Sequence, residues 1–524
     1  MAAVSALATS EETSAPIYLI LNPNKGRKRD IVKYFLLKDV KSGMSFLESS
    51  DEEIKSKTAI DQWWKVLLTL IITKILQLFD KPMEYLSYIV EFFLNLLSLN
   101  GGFFGILYNL FHGNLRKPKR GSKDFLSMIG HVDDRIELYK TRIVSEKVDN
   151  YIASDVAKIK SDLGDKYLMD LCIMASKIVY ENKEVVQNVV DNYWEMHFVA
   201  FYDCWIESQK ESNTQVFICC DKEVDANLIV ISFRGTEPLT AQDWITDFDF
   251  SWYEIPKVGK VHIGFLEALG LGSRSDPATF QTHLAKHETD FFHLQGESMA
   301  KMKELAKKRA YYTVVLKLTE LLEKHKNAKF VVTGHSLGGA LAILFPSVLV
   351  IQEEREILDR LLNVYTFGQP RVGDTKFAGF MEAYINYPET RYFRVVYCND
   401  MVPRVPFDDK VLFAFKHFGT CIHYDSWYFG ELMEEAPNKN YLSLWYAIPM
   451  WINAYWEMFR SLILHYIHGP DYKETWCSTL FRIAGFFIPG LSAHSPVDYV
   501  NSVRLGRDKL FIPSLSLESF VLKS

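Results

Sequence analysis

Apolar and polar positions are mixed along most of this chain, and the few nearly pure apolar stretches organise the rest. Residues 329–344 hold the most informative one. Phe330, Val331 and Val332 form a short apolar run that fits a buried strand, and Ala340, Leu341, Ala342, Ile343 and Leu344 read as a buried helix. Strand patterns also fall at residues 197–205, 214–220 and 227–233, separated by polar turns, and again at 362–367 and 393–397. Helical spacing appears at residues 170–180, 298–325 and 376–384. Residues 271–295 are polar and read as a surface loop. This alternation of strand and helix predicts an α/β architecture around a central, mainly parallel sheet.

A second apolar stretch lies outside that alternation. Residues 63–79 are interrupted only by Lys65 and Lys74, Asp80-Lys81-Pro82 follows as a predicted break, and residues 92–111 carry no charge. A basic cluster comes next: Arg116, Lys117, Lys119, Arg120 and Lys123. Two helices joined at the proline are expected. Either they pack as a buried hairpin on the α/β domain, or they enter a lipid surface as a monotopic hairpin with the basic side toward the cytosol. A third stretch, residues 441–467, is rich in Trp and Tyr and reads either as a core helix or as an interfacial patch.

The expected organisation is a polar, partly disordered segment at 1–60, with residues 17–22 a strand or an anchor. An apolar helical region expected to associate with a membrane or lipid surface follows at 61–121, then a helical linker at 122–164. The α/β domain covers 165–510, and a tail covers 511–524. The net charge of −6 argues against nucleic acid as a partner. Seven scattered cysteines without C-x-x-C or zinc spacing suit a reducing compartment. The first sixteen residues lack a basic stretch followed by an apolar core, so secretion is not expected.

Between the central strand and its helix, Gly334-His335-Ser336-Leu337-Gly338 matches G-x-S-x-G. A serine on so sharp a turn needs flanks nearly free of side chains, which explains Gly334 and Gly338. Ser336 is the candidate nucleophile. It needs a base and an acid, in the order Ser, Asp or Glu, His. Asp400 ends the strand at 393–397 and precedes Pro403 and Pro406. Asp374, Asp408 and Asp409 compete with it, the first as a helix cap and the others as a solvated turn. His494, on a loop near the C-terminus, is favoured as base over His423, which lies on a predicted strand. His417, His465 and His468 remain, the last two in or beside the aromatic stretch. The backbone N–H of Leu337 is one expected oxyanion donor. Thr236, at the end of the strand at 227–233, is the other, with its N–H and its hydroxyl.

Taken together, Phe233-Arg234-Gly235-Thr236 with Asp243, Trp244 and Asp247, residues 261–265, Gly334 to Gly339, and residues 399–403 resemble the class 3 (fungal-type) lipases over roughly residues 165–505. The apolar N-terminal region adds a resemblance to plant oil-body triacylglycerol lipases. This resemblance implies an α/β-hydrolase fold and a Ser336–Asp400–His494 triad with Thr236 and Leu337 as oxyanion hole. It also implies triacylglycerol ester hydrolysis at a lipid-droplet or membrane surface, on its cytosolic face, with no metal or organic cofactor. A phospholipase A1 or galactolipase would use the same triad, and a non-catalytic lipid-droplet coat or tether would use the fold alone. The family lid usually follows the oxyanion strand. Residues 237–242 are short for one, which leaves 271–295 or 441–467 as cover. Arg404 stands where the family often has an apolar residue.

Overall fold

The computed structural model describes residues 16–139, 166–207, 209, 211–287, 289–406, 408–409, 413–441, 444–469 and 472–506. Its strands, in chain order, are β1 (Tyr18–Leu21), β2 (Leu47–Ser49), β3 (His197–Ile206), β4 (Glu211–Cys220), β5 (Leu228–Phe233), β6 (Trp252–Ile255) and β7 (Gly259–His262). They continue with β8 (Lys329–His335), β9 (Leu361–Phe367), β10 (Gly373–Asp374), β11 (Tyr392–Tyr397), β12 (Asp408–Asp409), β13 (Phe413–Lys416), β14 (Thr420–Tyr424) and β15 (Gly430–Met433).

The central sheet has the order β15-β14-β11-β9-β8-β5-β4-β3. Its middle strands, from β14 to β5, run parallel, and antiparallel strands flank them. Parallel strands covered on both faces need apolar side chains on both, and the expected strand runs supply them. Phe330 and Val332 of β8 pack into one core with Ile229, Ile231 and Val364. Val331, pointing the other way, packs into a second core with Val230, Tyr365 and Phe367. The helix Leu337–Ile351 leaves β8 directly and is buried from Leu337 to Val350. Register places the C-terminal ends of β5, β8 and β9 side by side, with Phe233 opposite Gly334 and Gly334 opposite Thr366.

A second sheet, β12-β13-β10-β7-β6-β1-β2, lies beside the first. It recruits the N-terminal segment: β1 pairs antiparallel with β2 and β6. Leu19, Leu21, Tyr34, Phe46 and Leu47 share a small core with Phe250, Trp252 and Phe415. So residues 17–22 form a strand, and residues 16–60 form strands and helices on the sheet; residues 1–15 lie outside the described residues.

Several local expectations need correction. Pro82 does not break the apolar stretch, because one helix runs from Trp63 to Leu99 with Pro82 inside it. An internal proline forfeits one backbone hydrogen bond and strains one turn. A 37-residue helix, anchored at its start by buried Val66, Leu67 and Leu70, tolerates that loss. The break comes at Gly101 and Gly102, with φ of 76° and 84°, and a second helix, Gly102–Phe111, leaves at 74°. The chain then returns alongside: the buried Asn95 side chain accepts from Leu126 N–H (2.8 Å), and Asn100 accepts from Arg116 N–H (3.0 Å). Among the described residues no single helix is long and apolar enough to cross a membrane, and this bent pair meets that test by length and composition.

The predicted helical linker contains one short helix, Met128–Val132, within residues 122–139, and residues 140–165 lie outside the described residues. Residues 271–295 are not a simple loop. They carry the helix Ala278–Leu284, whose Phe280 and Leu284 are buried. The helical pattern at 298–325 is two helices, Gly296–Ala306 and Ala310–Lys324. Asp408 and Asp409 form a two-residue strand against β13 rather than a turn. The aromatic stretch is a helix, Leu444–His468. One face of it, with Met450, Ala454, Glu457 and Arg460, is buried; the other presents Trp445 (91% exposed), Ile452, Phe459 and Tyr466 (86%).

Candidate active site

Ser336 sits between the last residue of β8 and the first of the buried helix, with φ 58° and ψ −133°. A non-glycine residue in this region is strained, and the tight packing around the turn holds it there. The flanking glycines are sterically required. A Cβ on Gly334 would lie 2.1 Å from the Gly338 carbonyl oxygen, and one on Gly338 would lie 2.2 Å from that of Phe233. The second approach brings the loop after β5, and with it Thr236, against the start of the helix that Leu337 opens. First-turn N–H groups have no intrahelical partner, so Leu337 N–H stands where a donor to an anion is useful.

Ser336 N–H donates to the Phe367 carbonyl at the end of β9 (2.9 Å). The next residue, Gly368, marks where the other groups converge. A Cβ there would lie 2.9 Å from each of Asp400 Oδ2, His494 Cε1 and Tyr499 OH. Asp400, fully buried after β11, accepts from His494 Nδ1 at 2.7 Å, from Val402 N–H at 2.9 Å and from the Tyr499 hydroxyl. Because a carboxylate only accepts, Nδ1 carries the proton, and a neutral His494 leaves Nε2 as a base. His494 Nε2 is buried and has no hydrogen-bond partner among the described residues. His335 supports the ring from below. It stacks on His494 with centroids 4.6 Å apart, bonds through Nε2 to the His494 carbonyl (3.0 Å), and meets the Tyr180 hydroxyl at Nδ1 (3.1 Å). Burial, and then the neighbouring His494, keep His335 well below the ordinary imidazole range and hence neutral.

The rival residues are occupied elsewhere. Asp374 caps the helix Thr375–Ile385 through Phe377 N–H (2.8 Å), and Asp408 pairs with Lys439. His423 bonds the Cys398 carbonyl (3.2 Å) and His417 the Pro403 carbonyl (2.8 Å). His465 packs on Tyr466 in the aromatic helix, and His468 ends that helix.

Thr236 departs from expectation in one respect. Its hydroxyl donates to Asp247 Oδ2 (2.8 Å). A hydroxyl has one proton to give, so of the two donors expected at Thr236 the hydroxyl is already engaged. Asp247 lies in the helix Ala241–Phe248, directly after the oxyanion loop, together with Asp243, which accepts from Glu237 N–H (3.1 Å) and Asn213 (2.6 Å). Burial pushes Asp247 up to about 7, against the lowering effect of the Thr236 bond. Burial likewise pushes Asp243 up to about 6.

Arg404 is fully buried beside Asp400 and donates to carbonyls on two segments. It bonds the carbonyls of Asp400 and Cys398 (3.0 Å) on its own loop and that of Pro437 (2.7 Å) ahead of the aromatic helix. Burial lowers its pKa, and Asp400 is the largest opposing influence. The arginine therefore ties the acid's loop to the segment that leads into the exposed aromatic face. Sequence reading missed Tyr499, Gly368 and Tyr180 as site residues. Gly368 had a usable signal, as a glycine directly after a buried strand. Tyr499 and Tyr180 had none, because each acts through a contact remote in sequence. Among the described residues no cluster of three or more His, Cys, Asp or Glu side chains is arranged to hold a metal ion.

A mainly parallel sheet, a strained serine at the turn from its central strand, and a buried Asp–His pair at the same sheet end define an α/β-hydrolase. The family model described as lipase (class 3) matches residues 230–410. Triacylglycerol lipase OBL1 of Nicotiana tabacum is 47% identical over 545 residues, covering 94% of each chain. Its namesake from Arabidopsis thaliana is 51% identical over 496 residues, covering 94% of this chain and 95% of its own. The lipase of Rhizomucor miehei is 32% identical over 193 residues, 36% of this chain and 40% of its own. The chain belongs to the class 3 lipase family, and it is an enzyme that hydrolyses carboxylic esters.

Proposed function

We propose that this lipase hydrolyses triacylglycerol at a lipid-droplet or membrane surface, on its cytosolic side, through Ser336, His494 and Asp400. His494 Nε2 takes the proton of Ser336 Oγ as the oxygen attacks the acyl carbonyl. Asp400 fixes the tautomer and stabilises the imidazolium. The N–H groups of Leu337 and Thr236 receive the oxyanion, each donor being worth ~3–4 kcal/mol at best. The imidazolium then protonates the leaving alcohol, and water, deprotonated by the same nitrogen, frees the fatty acid from Ser336.

The observation that carries this reading is the 2.7 Å bond between His494 Nδ1 and Asp400 Oδ2, with Nε2 buried and without a partner among the described residues, at the sheet end that bears the strained Ser336. Support for the lipid surface comes from the exposed apolar side chains of the bent helix pair, among them Phe79, Phe93, Phe104 and Phe111, and of the aromatic helix. The plant relatives named triacylglycerol lipase support the substrate. The test is release of fatty acid from emulsified triacylglycerol, beside phospholipid and galactolipid vesicles, by the full chain and by Ser336→Ala. Fastest turnover of triacylglycerol, with loss of all turnover but retained droplet binding in the variant, is expected. Normal turnover by Ser336→Ala would overturn the nucleophile, faster turnover of either polar lipid would overturn the substrate, and a normal chain inactive on all three would favour the coat-protein alternative.

A further inference from the structure

The helix Trp63–Leu99 reads in the sequence as attachment apparatus, yet its first turns are built into the catalytic end of the molecule. Lys65, Leu68, Thr69 and Ile72 line one side of a cavity of about 60 Å³. Facing them are Asp247 and Phe248 of the helix after the oxyanion loop, and Val405 and Pro406 of the loop that carries Asp400. Both facing walls are continuous with the site. Asp247 holds the Thr236 hydroxyl at 2.8 Å, and Val402 N–H, on the Val405 loop, holds Asp400 Oδ1 at 2.9 Å. The Trp63–Leu99 helix is fixed in place against this cleft. Thr69 Oγ1 donates to the Phe248 carbonyl (3.4 Å), and Val66, Leu67 and Leu70 are buried with Phe250, Trp252 and Phe415.

We propose that this N-terminal helix supplies the outer wall of the acyl-chain cleft, and that Leu68 and Ile72 are specificity-determining residues. The inference rests on the assignment of Ser336, Asp400 and His494 above and adds to it the part of the chain that selects the substrate. The cavity has apolar side chains on both sides, as an alkyl chain requires, and polar ones at Gln62, Lys65, Thr69 and Asp247, the last bonded to Thr236. On this measure one water needs roughly 10–15 Å³, so the cavity has room for only about four to six waters, and the packed helix admits only a short piece of chain. Side-chain bulk at residues 68 and 72 then sets how far an acyl chain enters. Residues 63–72 lie outside the stretch that the family model matches, 230–410. Chain-length preference would thus be encoded apart from the catalytic residues.

The experiment measures kcat and KM of the full chain on soluble p-nitrophenyl esters with acyl chains of graded length. It compares Leu68→Ala/Ile72→Ala, Leu68→Trp/Ile72→Trp and, as control on the exposed part of the same helix, Leu78→Ala. The proposal expects the long-to-short ratio of kcat/KM to rise about tenfold in the alanine pair and to fall about tenfold in the tryptophan pair, the size of effect one or two methylenes have in an apolar pocket. The control should keep its ratio. Equal loss at all chain lengths in both pairs, or ratios unchanged in both, would overturn it. If the unaltered chain and Ser336→Ala hydrolyse the shortest ester equally, the nucleophile assignment fails instead, and the ratios of the other variants identify which reading was wrong.

Discussion

Two long apolar helices in this lipase have opposite surroundings. The helix Leu337–Ile351 is apolar on all sides and buried on all sides, wedged between the central sheet and the helices that cover it. The helix Trp63–Leu99 is also mainly apolar but carries six charged side chains; its first turns are buried, as are Glu91 and Asn95 near its end, while beyond Leu78, which is 73% exposed, many aromatic and aliphatic side chains face outward. The difference is whether a partner surface exists within the fold. Where it does, the helix is core and holds Ser336 rigidly. Where it does not, a run of exposed apolar side chains is left, the kind of surface that marks an interaction site. The aromatic helix Leu444–His468 is intermediate, outward-facing on one side and locked on the other.

The largest expected effect tests that lock. Arg460 of the aromatic helix and Arg482 of the next helix, Trp476–Ala484, both bond Asp498 (3.3 and 2.9 Å), the residue before Tyr499. All three are buried. Asp498→Ala removes the carboxylate shared by two buried guanidinium groups, of which Arg482 keeps Glu474 (2.5 Å) while Arg460 loses its ion pair, and should cost ~3–5 kcal/mol in denaturant unfolding. A loss under 1 kcal/mol would mean that Asp498 is not what locks the aromatic helix.

The next test falls on the buried helix. Gly338→Ala pushes a methyl group into the Phe233 carbonyl and so parts the two oxyanion segments. The expected fall in kcat is ~100- to 1,000-fold, about 2.7–4 kcal/mol, with KM little changed. Near-normal kcat would show that the segments are not held by that close approach.

On the exposed helices the expectation reverses. Phe103→Ser/Phe104→Ser/Phe111→Ser should leave denaturation almost unmoved, within ~0.5 kcal/mol per site. Transfer energies of ~1.5–3 kcal/mol per aromatic side chain predict a fall of more than tenfold in partition onto droplets, read by flotation. Unchanged flotation would remove these residues from the attachment surface.

The smallest effect is a pH slope. Asp247 has a folded pKa of about 7, raised from 3.8 by burial. The folded state therefore prefers the protonated acid. The associated stability is complete below pH 3.8 and is lost as pH rises through 7. Glu181, raised to about 7 by burial, acts in the same direction. Unfolding free energy should decline between about pH 4 and 7 and level off above, and Asp247→Asn should flatten that decline, by at most ~1.4 kcal/mol per pH unit. An unchanged slope in the variant would place Asp247 outside the groups that cause it.

Much of the catalytic end was legible because its signals are local. The elbow needs glycines two residues to either side of Ser336, and a carboxylate at a strand end has few other uses, which singled out Asp400. The supporting groups were not legible. Tyr499 matters through one bond to Asp400, and Arg404 through carbonyls more than thirty residues away. Pro82 misled because the penalty of a proline is set locally, whereas the stability of the helix around it is set by tertiary packing.

Short-range order thus specified the strands, the strained turn and the types of side chain that could perform ester chemistry, because strand period and turn sterics depend on adjacent residues. Packing set His494 Nδ1 against Asp400, engaged the Thr236 hydroxyl with Asp247, carried the helix through Pro82 and brought residues 65–72 against Asp247, Phe248 and Val405. Those outcomes depend on which surfaces meet once distant segments are buried against one another, and no stretch of the chain encodes that by itself.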